Sequence, residues 1–169
     1  MAPRDSAPPI APSRPSTPVA TALLLLLLAT FLPSQIAAQA ALTISSDLDL
    51  AFGAVVPGPS SGTVTVTPEG ARSSSGGVTL GGSAGVSPST FTVSGEPALT
   101  FSIVLTSSTT LSDGSSTMTV DSFTSSPEST GTLDASGDRE IRVGASLHLA
   151  ATQASGSYAG GFSVMVAYN

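Results

Sequence analysis

The chain has 169 residues, of which 40% are hydrophobic and 9% charged, with a formal net charge of −6 and no cysteine. Without thiols there is no disulfide framework, no lipid-anchored N-terminal cysteine and no thiol catalysis. The thinly spread acidic balance gives no electrostatic footprint for nucleic acid or anionic lipid.

Arg4 and Arg14 lie in a Pro-rich leader, followed by the apolar run Val19 to Leu32. After Pro33, Ala38 and Ala40 form a small-x-small cleavage site. This order predicts a secretory signal peptide over residues 1–40 and a mature chain from Ala41, one domain by length. A permanent membrane anchor is the weaker reading, because a span needs about 20 apolar residues. No Arg-Arg pair stands in the leader, which favours the general secretory route. The mature chain keeps Arg72, Arg139 and Arg142, no lysine and ten acidic residues, so its charge is 3 minus 10, or −7.

The predicted elements are short alternating runs between turn signals. Residues 42–52 put Leu42, Ile44, Leu48, Leu50 and Phe52 on one face, with Asp47 and Asp49 on the other. Val64 and Val66 alternate over 62–68, and Val78 and Leu80 mark a short apolar piece. Phe91 and Val93 point inward over 89–95, as do Leu99, Phe101, Ile103 and Leu105 over 99–107. Over 116–123 the phase of Met118 and Val120 shifts at Phe123, which predicts a β-bulge. The cleanest alternation is Ile141, Val143, Ala145, Leu147 and Leu149 over 139–150. The last strand spans 156–169, with Phe162, Val164, Val166 and Tyr168 on one face. The "PGPSSG", "SDGSS" and "DASGD" stretches read as turns, and the polar stretches 69–78 and 122–131 as mobile loops. The sum is an all-β, immunoglobulin-like antiparallel sandwich of about seven or eight strands, without a Cys-Trp-Cys core.

The pieces "LDLAFGAVVPG" (48–58), "GTVTVTPEG" (62–70), "TFTVSGEP" (90–97), "GTLDASGDREIRVGASLHLAA" (131–151) and "GSYAGGFSVMVAYN" (156–169) resemble a bacterial secreted domain-of-unknown-function family, over essentially the whole mature chain. More distantly, the Phe52-Gly53 pair and the Gly-x-Tyr ending are similar to spore coat protein U and the archaic chaperone–usher pilins. Those subunits end in an alternating strand with a penultimate tyrosine and a glycine fourteenth from the end. Tyr168 and Gly156 hold these places here. The resemblance implies a pilin-like subunit whose last strand is held by a periplasmic chaperone and whose fold a neighbouring copy completes by donating a strand. It nominates Gly156, Phe162, Val164, Val166 and Tyr168 as the strand held by the chaperone, and Leu42, Ile44, Leu48 and Leu50 as the donor strand that packs into a neighbour. Many spore coat U subunits carry a disulfide, whereas this chain has no cysteine. Residues 41–52 serve equally well as the domain's own first strand.

Other constellations read as structural. His148, the sole histidine, falls on the wet face beside Ser146 and Arg142, with no partner that sequence adjacency supplies. Asp134, Ser136, Asp138 and Glu140 alternate, but the stretch lacks the glycine and the bidentate glutamate of an EF-hand loop. The "PGPSSG" stretch is followed by no lysine that would make it a phosphate loop. With no tryptophan and both tyrosines in the last strand, a sugar platform is unsupported. No catalytic, cofactor or metal residues are nominated. The expected function is a non-enzymatic secreted structural or adhesive surface subunit, with a chaperone in transit and homo-polymer neighbours as partners. The alternative is a self-complete monomer that binds a glycan or protein through its loops.

Overall fold

The computed structural model describes residues 38–169, and Gln39–Asn169 form one compact unit. Most of the predicted leader lies outside the described residues. The fold is all-β and antiparallel, a sandwich built on one strand. β11 (Asp138–Leu149) pairs along one edge with β6 (Ser89–Ser94) through residues 138–143 and with β3 (Val55–Val66) through residues 145–149. Its other edge pairs with β9 (Thr117–Ser126). β1 (Thr43–Leu48), β4 (Arg72–Leu80) and β8 (Ser108–Ser112) extend this sheet to seven strands. A three-stranded sheet, in the order β10 (Thr130–Thr132), β7 (Thr100–Leu105), β12 (Val164–Tyr168), packs against it. A short pair, β2 (Ala51–Phe52) with β5 (Val86–Ser87), stands apart from both sheets.

The alternation of β11 explains its central place. Ile141, Val143, Ala145, Leu147 and Leu149 are buried on one side, while Arg142 and His148 are exposed on the other. Gly144 falls where β11 changes neighbour from β6 to β3. A Cβ there would run into the backbone of Val66, Thr67 and Pro68, so the chain crosses at this point because the side chain is missing.

The core divides accordingly. One cluster gathers Val93, Phe101, Ile103, Leu133, Ile141 and Val143, where the small sheet faces the first half of β11. The other gathers Phe52, Val64, Val66, Val120, Leu147 and Leu149 around the second half. No residue of the small sheet packs on this second cluster, which is covered in part by β2 and β5, while residues 154–162 line a cavity beside it. The Arg72 guanidinium fastens that cover, donating to the carbonyls of Phe52 (2.9 Å), Ala54 (3.3 Å), Gly81 (2.7 Å) and Gly82 (3.1 Å). Gly53 turns beneath it with φ +68°, where an added Cβ would strike Arg72 and Val86.

Several expectations are corrected. The expected all-β sandwich is present, and among the described residues it is cut into twelve strands, several of them only two or three residues long, against the seven or eight expected. The polar stretch 69–78 is largely β4, paired with β3 through serines and glycines. "PGPSSG" is not a turn but a wide bulge inside β3, where Pro57 to Gly62 spans the distance from Val78 to Gly76. The 122–131 stretch is the end of β9, a short turn and the start of β10. β8 has no counterpart in the predicted set, because its five residues, Ser-Thr-Thr-Leu-Ser, offer a single large apolar side chain. The last strand is Val164–Tyr168, shorter than 156–169. The bulge expected at Phe123 is present: Asp121 and Thr124 of β9 span Ser146 and Gly144 of β11, with Ser122 at φ +52°.

Gly144→Ala should lower the unfolding free energy by about 1–3 kcal/mol, the range for overpacking. Urea titration of the mature chain, with the slope held in common, checks this. An unchanged midpoint would mean that the crossing does not depend on the missing side chain.

Candidate functional site: an open edge at the last strand

β12 occupies the end of the three-stranded sheet, with β7 on one side and no strand on the other among the described residues. Thr106 N donates to Ser163 O (3.1 Å), Asn169 N to Thr100 O (3.2 Å) and Ser102 Oγ to Ala167 O (3.2 Å). The odd-numbered residues therefore direct their backbone groups to β7. Residues opposite one another in an antiparallel ladder alternate between bonded and non-bonded pairs. The N–H and C=O groups of Val164, Val166 and Tyr168 thus point away from β7, along the open edge. The side chains of these three residues turn inward, yet all are only half-buried. Facing them, Ile141, Val143 and Val93 are completely buried. On the outer face Met165 and Val104, opposite each other, are 63% and 52% exposed.

The neighbourhood of this edge is built from both ends of the domain. Tyr168 Oη accepts from Glu96 N (2.7 Å) and donates to Ala40 O (2.9 Å), so the penultimate residue fastens the first described residues to the β6–β7 turn. Phe162 anchors the approach to β12 between Phe91, edge-on with centroids 6.1 Å apart, and Phe123, tilted at 4.9 Å. Gly156 lies before β12, in the segment that crosses from β11, with its Cα facing the Asp113 carboxylate. It is not brought to the edge.

The expected donor residues are seated in their own chain. β1 pairs with β6 from Thr43↔Ser94 to Leu48↔Thr90. Leu42 and Ile44 pack half-buried on the same cluster as Val164, Val166 and Tyr168. A register shift between Ser46 and Leu48 breaks the alternation, leaving Leu48 49% exposed while Leu50 joins the other cluster. The four leucine and isoleucine positions therefore do not share one face.

On the wet face of the large sheet, His148 has partners that adjacency in sequence could not show. Its Nε2 lies 2.8 Å from Asp121 Oδ1 and its Nδ1 lies 3.2 Å from Thr63 Oγ1, one contact to each flanking strand. Asp121 shares this face with Thr119 because buried Val120 lies between them, and the β9 bulge begins only after it. The three residues lie on an open pleated face with no cleft or convergent oxyanion donors, so they form a cross-strand brace. The imidazole beside Asp121, and then the Ser122 hydroxyl, hold that carboxyl below its usual value of 3.8. Asp134 is lowered by backbone N–H groups of Asp138, Ser136 and Gly137, and by the charge of Arg139. Asp113 is lowered chiefly by backbone N–H groups of Ser116 and Ser115. The Asp134 carboxylate closes a turn, accepting from Ser136 N (2.8 Å) and Asp138 N (3.0 Å).

The family model described as "Domain of unknown function (DUF4402)" matches residues 42–168. The chain belongs to this family. No curated protein and no solved structure matches it. The matched span runs from Leu42 to Tyr168, so in this DUF4402 member it takes in both β1 and the open-edged last strand.

The lowered carboxyls set a sign for acid stability. A carboxyl whose folded pKa lies below its unfolded value contributes stability above the unfolded value, and loses it as pH falls through the folded one. The urea midpoint should therefore fall as pH drops below about 4. Asp121→Asn should flatten part of that decline, since its carboxyl no longer titrates. A midpoint-against-pH curve for the variant that parallels the parent would contradict the brace.

Proposed function

We propose that the protein is a non-enzymatic, secreted structural or adhesive surface subunit, completed by a strand added along the open edge of β12. The observation that carries this reading is the edge itself. Val164, Val166 and Tyr168 present unpaired backbone groups to one side, and their inward side chains are half-covered although the opposite wall of the core is fully buried. An unpaired edge of this kind is an aggregation hazard unless something covers it. A subunit whose edge always finds a strand from the next copy turns that hazard into a filament. A periplasmic chaperone would cover the same edge during export, and the leader supports that route.

The donor in this reading is the Leu42–Leu50 segment of a second copy. β1 is an edge strand, five of whose six residues are exposed, so it leaves its own sheet at small loss of buried surface. Released, it regains the regular alternation that the Ser46–Leu48 shift denies it. The second reading, a self-complete monomer binding through its loops, is favoured by the pairing of β1 with its own β6.

Proline substitution separates these two readings. Val166→Pro removes an N–H that faces the open edge, a place where an edge strand tolerates proline. The variant should keep the parent's unfolding midpoint and remain monomeric by light scattering. The parent should form detergent-resistant multimers that collapse on boiling. Met165→Pro removes an N–H bound to β7 and should lower the midpoint of the monomer itself. Multimers from Val166→Pro equal to those of the parent would rule out strand addition at this edge.

A further inference from the structure

Beneath the segment 154–162, where the small sheet stops, lies a cavity of about 820 Å³. Its walls are the second core cluster and its surroundings, among them Leu50, Phe52, Leu111, Met118, Leu149 and Phe162. The segment above it forms a strap. Ala159 and Ser112 exchange both backbone hydrogen bonds, at 2.9 and 3.0 Å, and Thr109 Oγ1 donates to Gly161 O at 2.6 Å. Gly156, Gly160 and Gly161 put three flexible residues in this short cover.

The polar groups around the cavity narrow what fits it. Ser89 Oγ is committed to Leu48 O (2.8 Å), Thr109 Oγ1 to Gly161 O (2.6 Å) and Tyr158 Oη to Ala154 O (2.9 Å). No lysine, arginine or histidine is among the residues lining it, and Asp49 brings a carboxylate to its rim. These three hydroxyls are spent as donors within the chain, and the nearby Arg72 guanidinium is already spent on four carbonyls, so a negative headgroup would meet Asp49 with no free counter-charge. The volume falls in the range of about 300–1,000 Å³ typical of small-molecule sites. A peptide strand fits less well, because the strap meets β8 through the Ala159–Ser112 bridge where a strand would have to enter. None of Val164, Val166 and Tyr168, whose backbone groups are free, lines the cavity.

We infer that this cavity is a binding site for one uncharged molecule with an extended hydrocarbon skeleton, such as a long-chain alcohol or an isoprenoid, held under the 154–162 strap. Binding is driven by burial of apolar surface, and Asp49 selects against acids of the same length. The inference is independent of strand addition at β12, since it concerns the other half of the core.

The test is a fluorescence titration of the mature chain with N-phenyl-1-naphthylamine, an uncharged apolar probe, at a concentration where the chain is monomeric. Saturation at one probe per chain is expected, with displacement by dodecanol and none by dodecanoate. Leu111→Trp, which fills part of the space, should weaken probe binding at least tenfold. Asp49→Asn should let dodecanoate compete without altering the response to dodecanol. Absence of saturable binding by the parent chain would overturn the inference whatever the variants do. So would equal displacement by dodecanoate and dodecanol in the parent. Displacement by a peptide of residues 41–50 would likewise overturn it, by assigning the cavity to a strand.

Discussion

Strand β11 bonds to three other strands at once, and the rest of the molecule is arranged around that fact. β6 and β3 share one of its edges end to end, which is possible because Gly144 leaves room for the backbone around Val66 where one neighbour gives way to the other. The sheet that results is long enough to need two covers. The small sheet covers the Ile141 and Val143 half, while β2 and β5 pack on the Leu147 and Leu149 half and the 154–162 strap stands across a cavity from it. Both candidate sites follow from this division. The open edge is where the small sheet ends sideways, and the cavity is where it ends lengthwise.

The two covers are held by different forces. Over the first half, apolar contact dominates, and Tyr168 adds a polar fastening to Glu96 at the rim. Over the second half the apolar contact is incomplete, so polar backbone contacts hold the cover in place. Arg72 satisfies four carbonyls of the β2–β3 and β4–β5 turns, and the strap is bridged to β8 through Ala159. A guanidinium suits this task because its fan of fixed N–H donors reaches several carbonyls together. The Phe52-Gly53 pair is thereby explained from within the chain: the ring fills the core, and the glycine turns under the guanidinium.

How much of this was legible in the sequence depended on what signalled each strand. Where large apolar residues alternate, as in β11, β7 and β6, pattern alone placed the strand and its buried face correctly. The phase slip at Phe123 was enough to locate the β9 bulge. Strands that hold their place through neighbours gave no such signal. β4 carries Ser73, Ser74 and Ser75 opposite Thr65, Val64 and Thr63, and its pairing comes from β3 rather than from its own side chains. The Asp121–His148 contact joins residues 27 positions apart across a bulge, and no local period could have linked them. Alternation overextends the last strand because Tyr158 and Phe162 keep the same parity as Val164, although Gly160 and Gly161 between them let the chain leave the ladder. Parity puts Leu48 inward, and the shift after Ser46 turns it out. For the last strand and for Leu48, the miss lies where backbone irregularity overrides alternation.

The central claim is that the edge of β12 is built to receive a strand, and amide hydrogen exchange reads it residue by residue. In the monomer, the amides of Val164, Val166 and Tyr168 should exchange quickly, while those of Met165 and Ala167, bonded to β7, should be protected. On assembly the three fast amides should become as slow as their neighbours. If all five are equally protected in the monomer, or if assembly leaves the three fast amides unchanged, the edge is not the place where another strand adds.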